Sequence, residues 1–151
     1  MRKKGLLLSL AFSIVCFLYS HVIAEEILLL DEGFVVEPST HKPYGWDLKV
    51  SGMLGVSLKT NSDVYLYIVD ELNYWKYKAG NQFYVLASRD RITSTKLKTN
   101  IPKSGTYYII VSNNHSLLTP ANVELQVSYT PKISEDEEID LSELVERLLG
   151  D

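Results

Sequence analysis

Between Trp46 and Tyr129 the chain alternates apolar and polar residues in short runs separated by turn-forming residues. Trp46, Leu48 and Val50 alternate with Asp47 and Lys49. Beyond Ser51-Gly52, Leu54, Val56 and Leu58 alternate with Gly55, Ser57 and Lys59. Thr60-Asn61-Ser62-Asp63 reads as the next turn, and Val64 to Val69 as a β-rich run. Lys78-Ala79-Gly80-Asn81 then precedes Phe83 to Ala87, and Thr95 and Leu97 alternate with Lys96 and Lys98. Pro102-Lys103-Ser104-Gly105 leads into Thr106 to Val111. Finally Val123, Leu125, Val127 and Tyr129 alternate with Glu124, Gln126 and Ser128. A period of two sends successive side chains to opposite faces of a sheet. With β-branched and aromatic enrichment and turns at a spacing of roughly 8–12 residues, the pattern predicts antiparallel strands packed as a sandwich. No window of this region has convincing helical spacing. The expectation for residues 25–130 is an all-β, jelly-roll-like β-sandwich of about eight strands.

The two ends of the chain follow other rules. Arg2, Lys3 and Lys4 precede an apolar run from Leu6 to Tyr19, and Val22-Ile23-Ala24 offers a cleavage site. That is the layout of a secretory signal peptide over residues 1–24, which places the remainder in a secreted or periplasmic, extracytoplasmic setting. Left uncleaved, Gly5 to Ala24 is about long enough to anchor the chain in a bilayer. At the other end Pro131 and the acidic run Glu135 to Glu138 read as a solvated linker over residues 131–139. Leu141, Leu144, Val145, Leu148 and Leu149 then fall on one helical face, with Asp140 and Glu143 placed as a capping box and Gly150 as a stop. A short amphipathic helix is expected over residues 140–150. It is below the roughly 12–15 residues an isolated helix needs in water, so its apolar stripe must lie against something. That surface is either the chain's own sandwich, a second copy, or another protein.

Composition sharpens the contrast between body and tail. Residues 25–132 hold eleven bases and eleven acids, whereas residues 133–151 hold eight acids against Arg147, a balance of −7. No basic face is available to attract phosphate backbones, so no nucleic acid is expected as a partner. Cys16, the one cysteine, lies in the signal segment. The exported body therefore has no intramolecular disulfide, thiolate metal site or cysteine nucleophile, and must stand on its apolar core.

Three stretches carry a resemblance to a known family: Asp63-Val64-Tyr65-Leu66-Tyr67-Ile68-Val69-Asp70, Ser104-Gly105-Thr106-Tyr107-Tyr108-Ile109-Ile110-Val111-Ser112-Asn113, and Val123-Glu124-Leu125-Gln126-Val127-Ser128-Tyr129. Their order resembles the small β-sandwiches grouped as GOLD-like and bacterial pre-peptidase C-terminal-like domains, over roughly Phe34 to Tyr129. The resemblance implies a non-catalytic domain: a cargo or partner adaptor of the secretory pathway, or an accessory module of secreted hydrolases. Some such modules bind calcium through acidic side chains. Asp63 stands alone here where a pair of acids would be expected, so no metal site is carried over.

Candidate chemistry concentrates in residues 62–77, SDVYLYIVDELNYWKY, with five aromatics in sixteen positions. On a strand Val64, Leu66 and Ile68 share one face and Tyr65, Tyr67 and Val69 the other. Continued as a strand, the segment sets Trp75 and Tyr77 together, opposite Tyr74 and Lys76, as a possible stacking surface for sugar rings; core packing is the competing use of all these aromatics. Asp70, Glu71 and Asn73 read as a solvated turn, well short of the six to eight oxygens of a calcium site. His41 and His115 lack a second ligand at zinc spacing, and no Gly-x-Ser-x-Gly elbow is present. Asn114-His115-Ser116 has the form of a glycosylation sequon. The expectation is therefore a non-enzymatic exported binding domain without metal or cofactor. Leu141, Leu144, Val145, Leu148 and Leu149 would dock on an exported or envelope protein or on the chain itself. The alternative is a carbohydrate-binding module retaining polysaccharide through Trp75 and Tyr77.

Overall fold

A computed structural model describes residues 25–132. Its elements in chain order are β1 (Ile27–Val36), β2 (His41–Leu48), β3 (Gly52–Asp70), a helix α1 (Glu71–Lys78), β4 (Ala87–Ile101), β5 (Gly105–Ser112) and β6 (Ala121–Pro131). All pairings are antiparallel. The all-β expectation holds in class; among the described residues there are six strands rather than about eight, and one helix that the sequence pattern did not predict.

One origin of the difference in count is β3; another is that Phe83 to Leu86, expected in a strand, precede β4 as a loop. Thr60-Asn61-Ser62-Asp63 is not a chain reversal but a bend within one 19-residue strand. Along one edge β3 pairs with β4 on both sides of that bend, with register shifts between Lys59 and Leu66. Along the other edge it changes partner, from β6 at Gly52–Thr60 to β5 at Tyr65–Asp70. β1 continues outward from β6, and β2 from β5. The result is a curled sheet.

The inner face of the curl is the core. Leu54, Val56, Leu58, Val64, Leu66 and Ile68 of β3 are buried, and the even parity persists through the bend. They meet Val123, Leu125 and Val127 of β6 and Ile109 and Val111 of β5. The side chains of β1 and β2 approach one another: Tyr44 Oη donates to Glu32 at 3.0 Å, and the Phe34 and Tyr44 rings lie 5.4 Å apart. Inside, Asn113 is fully buried and its Nδ2 donates to the carbonyls of Val36 and Thr119 at 3.1 and 2.8 Å, tying β1 to the β5–β6 connection.

At one end, Gly52 is required by a close approach. A Cβ there would collide with the carbonyl oxygen of Thr130, so this glycine begins a strand rather than marking a turn. Tyr129 Oη donates to the Val50 carbonyl at 2.6 Å and Lys132 N–H to the Ser51 carbonyl at 2.8 Å, fixing β6 at the same end.

Residues 1–24, read from the sequence as a signal peptide, most of the segment read as an acidic linker, and Leu141, Leu144, Val145, Leu148 and Leu149 lie outside the described residues. Among the described residues no helix is long and apolar enough to cross a membrane.

Candidate functional site

The helix α1 follows β3 without a loop because Asp70 caps it. The Asp70 carboxylate accepts from the Asn73 backbone N–H at 2.9 Å and from Asn73 Nδ2 at 2.8 Å. Asp70 is itself extended (φ −77°, ψ 172°), the geometry of an N-cap. Glu71 in the first turn and Lys76 and Lys78 in the last complement the helix dipole. Gly80, at φ 69°, ends the helix in the left-handed region, donating to the Tyr77 carbonyl at 3.0 Å. Asn73 has a second duty, accepting the Tyr84 N–H at 2.9 Å and so holding the returning loop to the helix. The Asp70-Glu71-Asn73 group is thus a helix start and not a solvated turn. Replacing Asp70 by alanine is expected to cost about 1–2 kcal/mol in a denaturant titration, with faster amide exchange at Asn73 and Tyr84.

The helix lies over the outer face of β3 and β5. That face is apolar as well, since Val69 and Ile110 are buried there with Tyr74 against them. The Tyr74 ring stacks on Tyr108 with centroids 3.9 Å apart and planes 12° apart. Phe83 from the following loop stands edge-on to Tyr67 at 5.6 Å and to Tyr77 at 5.3 Å. These pairs use the ring quadrupole as well as area, each worth about 0.5–1.5 kcal/mol beyond burial.

Being on a helix and not a strand, Trp75 and Tyr77 leave α1 on opposite sides, about 200° apart at 3.6 residues per turn. The segment's high β-propensity concealed this: Tyr74–Tyr77 is helical and not the strand that alternation predicts. Trp75 is 53% exposed, with Lys78 Nζ 4.9 Å from its ring centroid. One turn before it Leu72 is 64% exposed; on the loop held to Asn73, Tyr84 is 71% exposed, with Lys76 Nζ 5.9 Å from its ring. Tyr77 instead faces an open depression of about 560 Å³ lined by His41, Phe83, Asn81, Ser39 and Asn114. His41 meets its ring edge-on at 5.0 Å, and Asn114 Nδ2 donates to its hydroxyl at 3.2 Å. Burial, and then the charge of Lys78, lowers the His41 pKa below its ordinary value. Lys76, Lys78, Phe83 and Tyr84 were not singled out as site residues by the sequence, and Asn114 was noted only as part of a sequon. The signals that could have found the first four were the Asp70 cap, the lysines before Gly80 and the glycine itself.

A second cluster sits at the bend of β3. Asp63 accepts from Arg91 Nε at 2.6 Å and lies 3.5 Å from His115 Nε2, and the His115 ring is edge-on to Tyr65 at 5.1 Å. The hydrogen bond from Arg91 holds the Asp63 carboxyl below its usual range. Among the described residues no group of three or more His, Cys, Asp or Glu side chains is placed to hold a metal ion. What the α1 region presents is exposed ring faces and ammonium groups on the helix and its loop, and amide groups in the depression at Tyr77.

No family model matches the chain, and no curated protein matches it. Among solved structures it is similar to the Yersinia pseudotuberculosis-derived mitogen, with a TM-score of 0.45 and 12% identity over 77% of this chain and 93% of that one. It is also similar to the nucleoplasmin-like N-terminal domain of Drosophila FKBP39, with a TM-score of 0.41 and 17% identity over 79% of this chain and 100% of that one. Neither likeness bears on the resemblance to GOLD-like and pre-peptidase C-terminal-like domains.

Proposed function

We propose that the chain is an exported, non-catalytic binding domain of the GOLD-like or pre-peptidase C-terminal-like kind, acting through protein–protein contacts. The observation that carries this reading is the exposure, on α1 and its following loop, of Leu72, of Trp75 with Lys78 over its ring, and of Tyr84 with Lys76 over its ring. Tryptophan and tyrosine are among the residues that dominate protein interfaces, and their exposure around one short helix supports a contact surface there. The scaffold beneath is a β-sandwich in this reading. The change of partner along β3 divides the curl into a β1-β6-β3 layer and a β2-β5-β3 layer facing one another across the core. The basic and apolar start of the chain supplies the export signal, and the leucine stripe of residues 141–149 supplies a docking helix for a partner or for the chain itself.

A second reading, retention of polysaccharide, is favoured by the depression at Tyr77, where aromatic walls and amide groups converge. One set of proteins tests both. The mature chain, a chain lacking residues 133–151, a Trp75→Ala/Tyr84→Ala variant and a Tyr77→Ala variant are cross-linked in the native envelope and run on polysaccharide affinity gels. A partner whose capture changes on removing the tail and disappears with Trp75 and Tyr84 supports the adaptor. Capture and oligomeric state indifferent to all three changes remove it. Gel retention lost only with Tyr77 transfers the function to carbohydrate.

A further inference from the structure

We propose that the outer edge of β4, over Ser94 to Asn100, docks an extended acidic segment of another protein, which joins the sheet as a further strand. This second contact surface, apart from α1, rests on the reading of the chain as a protein-binding domain and adds the chemistry of a partner: carboxylates at alternate positions of the added strand.

Among the described residues β4 is paired on one side alone. Its ladder is with β3, and no backbone hydrogen bond joins Ala87–Ile101 to another element. The phase of that ladder follows from one bond at its end. Lys132 N–H donates to the Ser51 carbonyl, so these two form a hydrogen-bonded pair, in the register that continues through Met53 with Thr130, Gly55 with Ser128 and Ser57 with Gln126. Hydrogen-bonded pairs alternate along an antiparallel ladder, so Met53, Gly55 and Ser57 direct N–H and C=O to β6. Leu54, Val56 and Leu58 between them direct theirs to β4, where their partners are Thr99, Leu97 and Thr95. The alternate residues of β4, Ser94, Lys96, Lys98 and Asn100, therefore turn N–H and C=O away from β3, and all of them are exposed. They offer about 20 Å of unpaired backbone, the template on which an added strand forms. The other outer strands are less open. Lys42 and Tyr44 of β2 reach Glu32 of β1 at 3.5 and 3.0 Å, and Pro43 has no N–H to offer.

Charge selects the occupant. β4 carries Arg89, Arg91, Lys96 and Lys98 against Asp90, and Arg91 is already engaged by Asp63. Lys96 and Lys98 stand opposite Ser57 and Gly55, beyond which come Gln126 and Ser128, all uncharged. Among the described residues neither lysine has a carboxylate within ion-pair distance. Glu26, which borders the same shallow depression, accepts instead from Ser128 Oγ at 2.6 Å. A second copy fits this edge poorly. In the antiparallel register that pairs every outward residue with its two-fold mate, Lys96 faces Lys98 twice, and the adjacent registers set one of these lysines against itself. Like charges directly opposite destabilise a sheet. A partner strand with carboxylates at i and i+2 instead places one acid opposite each lysine. The residue between them comes beside Leu97, 7% exposed, so an apolar side chain there continues the core-facing side of β4. The lysines thus discourage pairing between copies and favour an acidic strand.

The test uses the mature chain, residues 25–151, and a labelled peptide of alternating glutamate and valine. A peptide of the same composition with its glutamates in one block, and an alternating lysine–valine peptide, are compared with it by fluorescence polarisation. Residue-resolved amide exchange locates what binds. The expected result is saturable binding of the alternating glutamate peptide, with exchange slowed severalfold at Lys96, Lys98 and Asn100, whereas Thr95, Leu97 and Thr99 are slow from the start. Lys96→Glu/Lys98→Glu should lose that peptide and bind the lysine–valine one. Lys96→Pro removes an outward N–H that the β3 ladder does not use, and should bind severalfold more weakly than Lys96→Gln. Near-ultraviolet circular dichroism verifies that each variant is folded, and the glutamate variant decides the matter if the proline disturbs the strand. No binding overturns the proposal, and so does equal binding of the block peptide, which would be attraction without a strand. Slowed exchange confined to α1 and its loop also overturns it and moves the contact there. Edge amides already slow in the free chain overturn it as well: release on removing residues 133–151 would assign the edge to the chain's own tail, and slowing that grows with concentration to a second copy. None of the variants alters α1, so failure here leaves the α1 reading to the capture experiment.

Discussion

Replacing Leu66 by alanine is expected to lower the unfolding free energy by about 2–5 kcal/mol. The domain's total is expected to be about 5–15 kcal/mol, so this one change removes a large share. The reason is position. Leu66 is fully buried on the part of β3 that is hydrogen-bonded on both sides, opposite Val111 of β5 and Arg89 of β4. A strand locked by two ladders cannot move inward to fill the space left by the missing methyls, so the cavity term adds to the lost transfer energy. The check is a urea titration in which the midpoint falls while the slope stays unchanged. Lys96→Ala, on the exposed face of β4, is the control and should stay within about 0.5 kcal/mol. A Leu66→Ala loss no larger than the control's would mean that β3 is not the central strand.

That position was legible in the sequence, for a physical reason. Alternation is a direct record of which side of a pleated strand faces water, so Val64, Leu66 and Ile68 could be assigned to one face without knowing the partners. The burial of Val123, Leu125 and Val127 on β6 follows the same rule. Tyr65, Tyr67 and Val69 were also assigned correctly to the other face. What alternation does not record is whether a polar interruption reverses the chain. Thr60-Asn61-Ser62-Asp63 has the composition of a turn, yet Asn61 Oδ1 accepts the Asn122 N–H at 2.8 Å and Asp63 holds Arg91, so those polar groups serve a bend between two ladders. Sequence spacing alone does not separate a bend from a hairpin.

The helix was obscured by a different conflict. Tyr74, Trp75 and Tyr77 favour strands by propensity, and α1 lacks a clean apolar stripe because Tyr74 and Asn73 are its buried residues. Tertiary packing against Val69, Ile110 and Tyr108 decides the matter over propensity. The capping signals were present at Asp70 and Gly80 and were the better guide. The consequence for the candidate site is direct. A strand would have set Trp75 and Tyr77 side by side, whereas the helix gives one to the lysine-bearing surface and the other to the depression at His41. Asn114 reaches Tyr77 from a connection 37 positions away, a contact no local pattern encodes.

The domain is expected to unfold cooperatively in base, with Tyr67 as the principal trigger. Burial, followed by the charge of Asp90 and the neighbouring Tyr77 and Tyr65, pushes the Tyr67 phenol up to about 12. Tyr44, Tyr107, Tyr108 and Tyr129 are raised as well, in each case by burial first. An unfolded tyrosine ionises near pH 10 or about there. Above that pH the unfolded chain has released protons that the folded chain still holds, so stability falls as pH rises. The contribution is complete below about pH 10 and is lost as the pH passes through the folded value near 12. Melting temperature should therefore be level up to the lower limit and drop steeply beyond it, with tyrosinate absorbance appearing together with the loss of circular dichroism. Lysines lose their charge over a similar interval, and Tyr67→Phe separates the two causes. The substitution keeps the ring against Phe83 and Tyr77 and removes only the ionisable oxygen, for which the described residues offer no hydrogen-bond partner. It should move the basic midpoint to higher pH while leaving the neutral-pH melt nearly unchanged. Tyrosinate absorbance that develops gradually in a still-folded protein, with the midpoint indifferent to Tyr67→Phe, would mean that the outer aromatic layer is open to water. The cover that α1 provides would then not be the stable surface on which the binding function is proposed to rest.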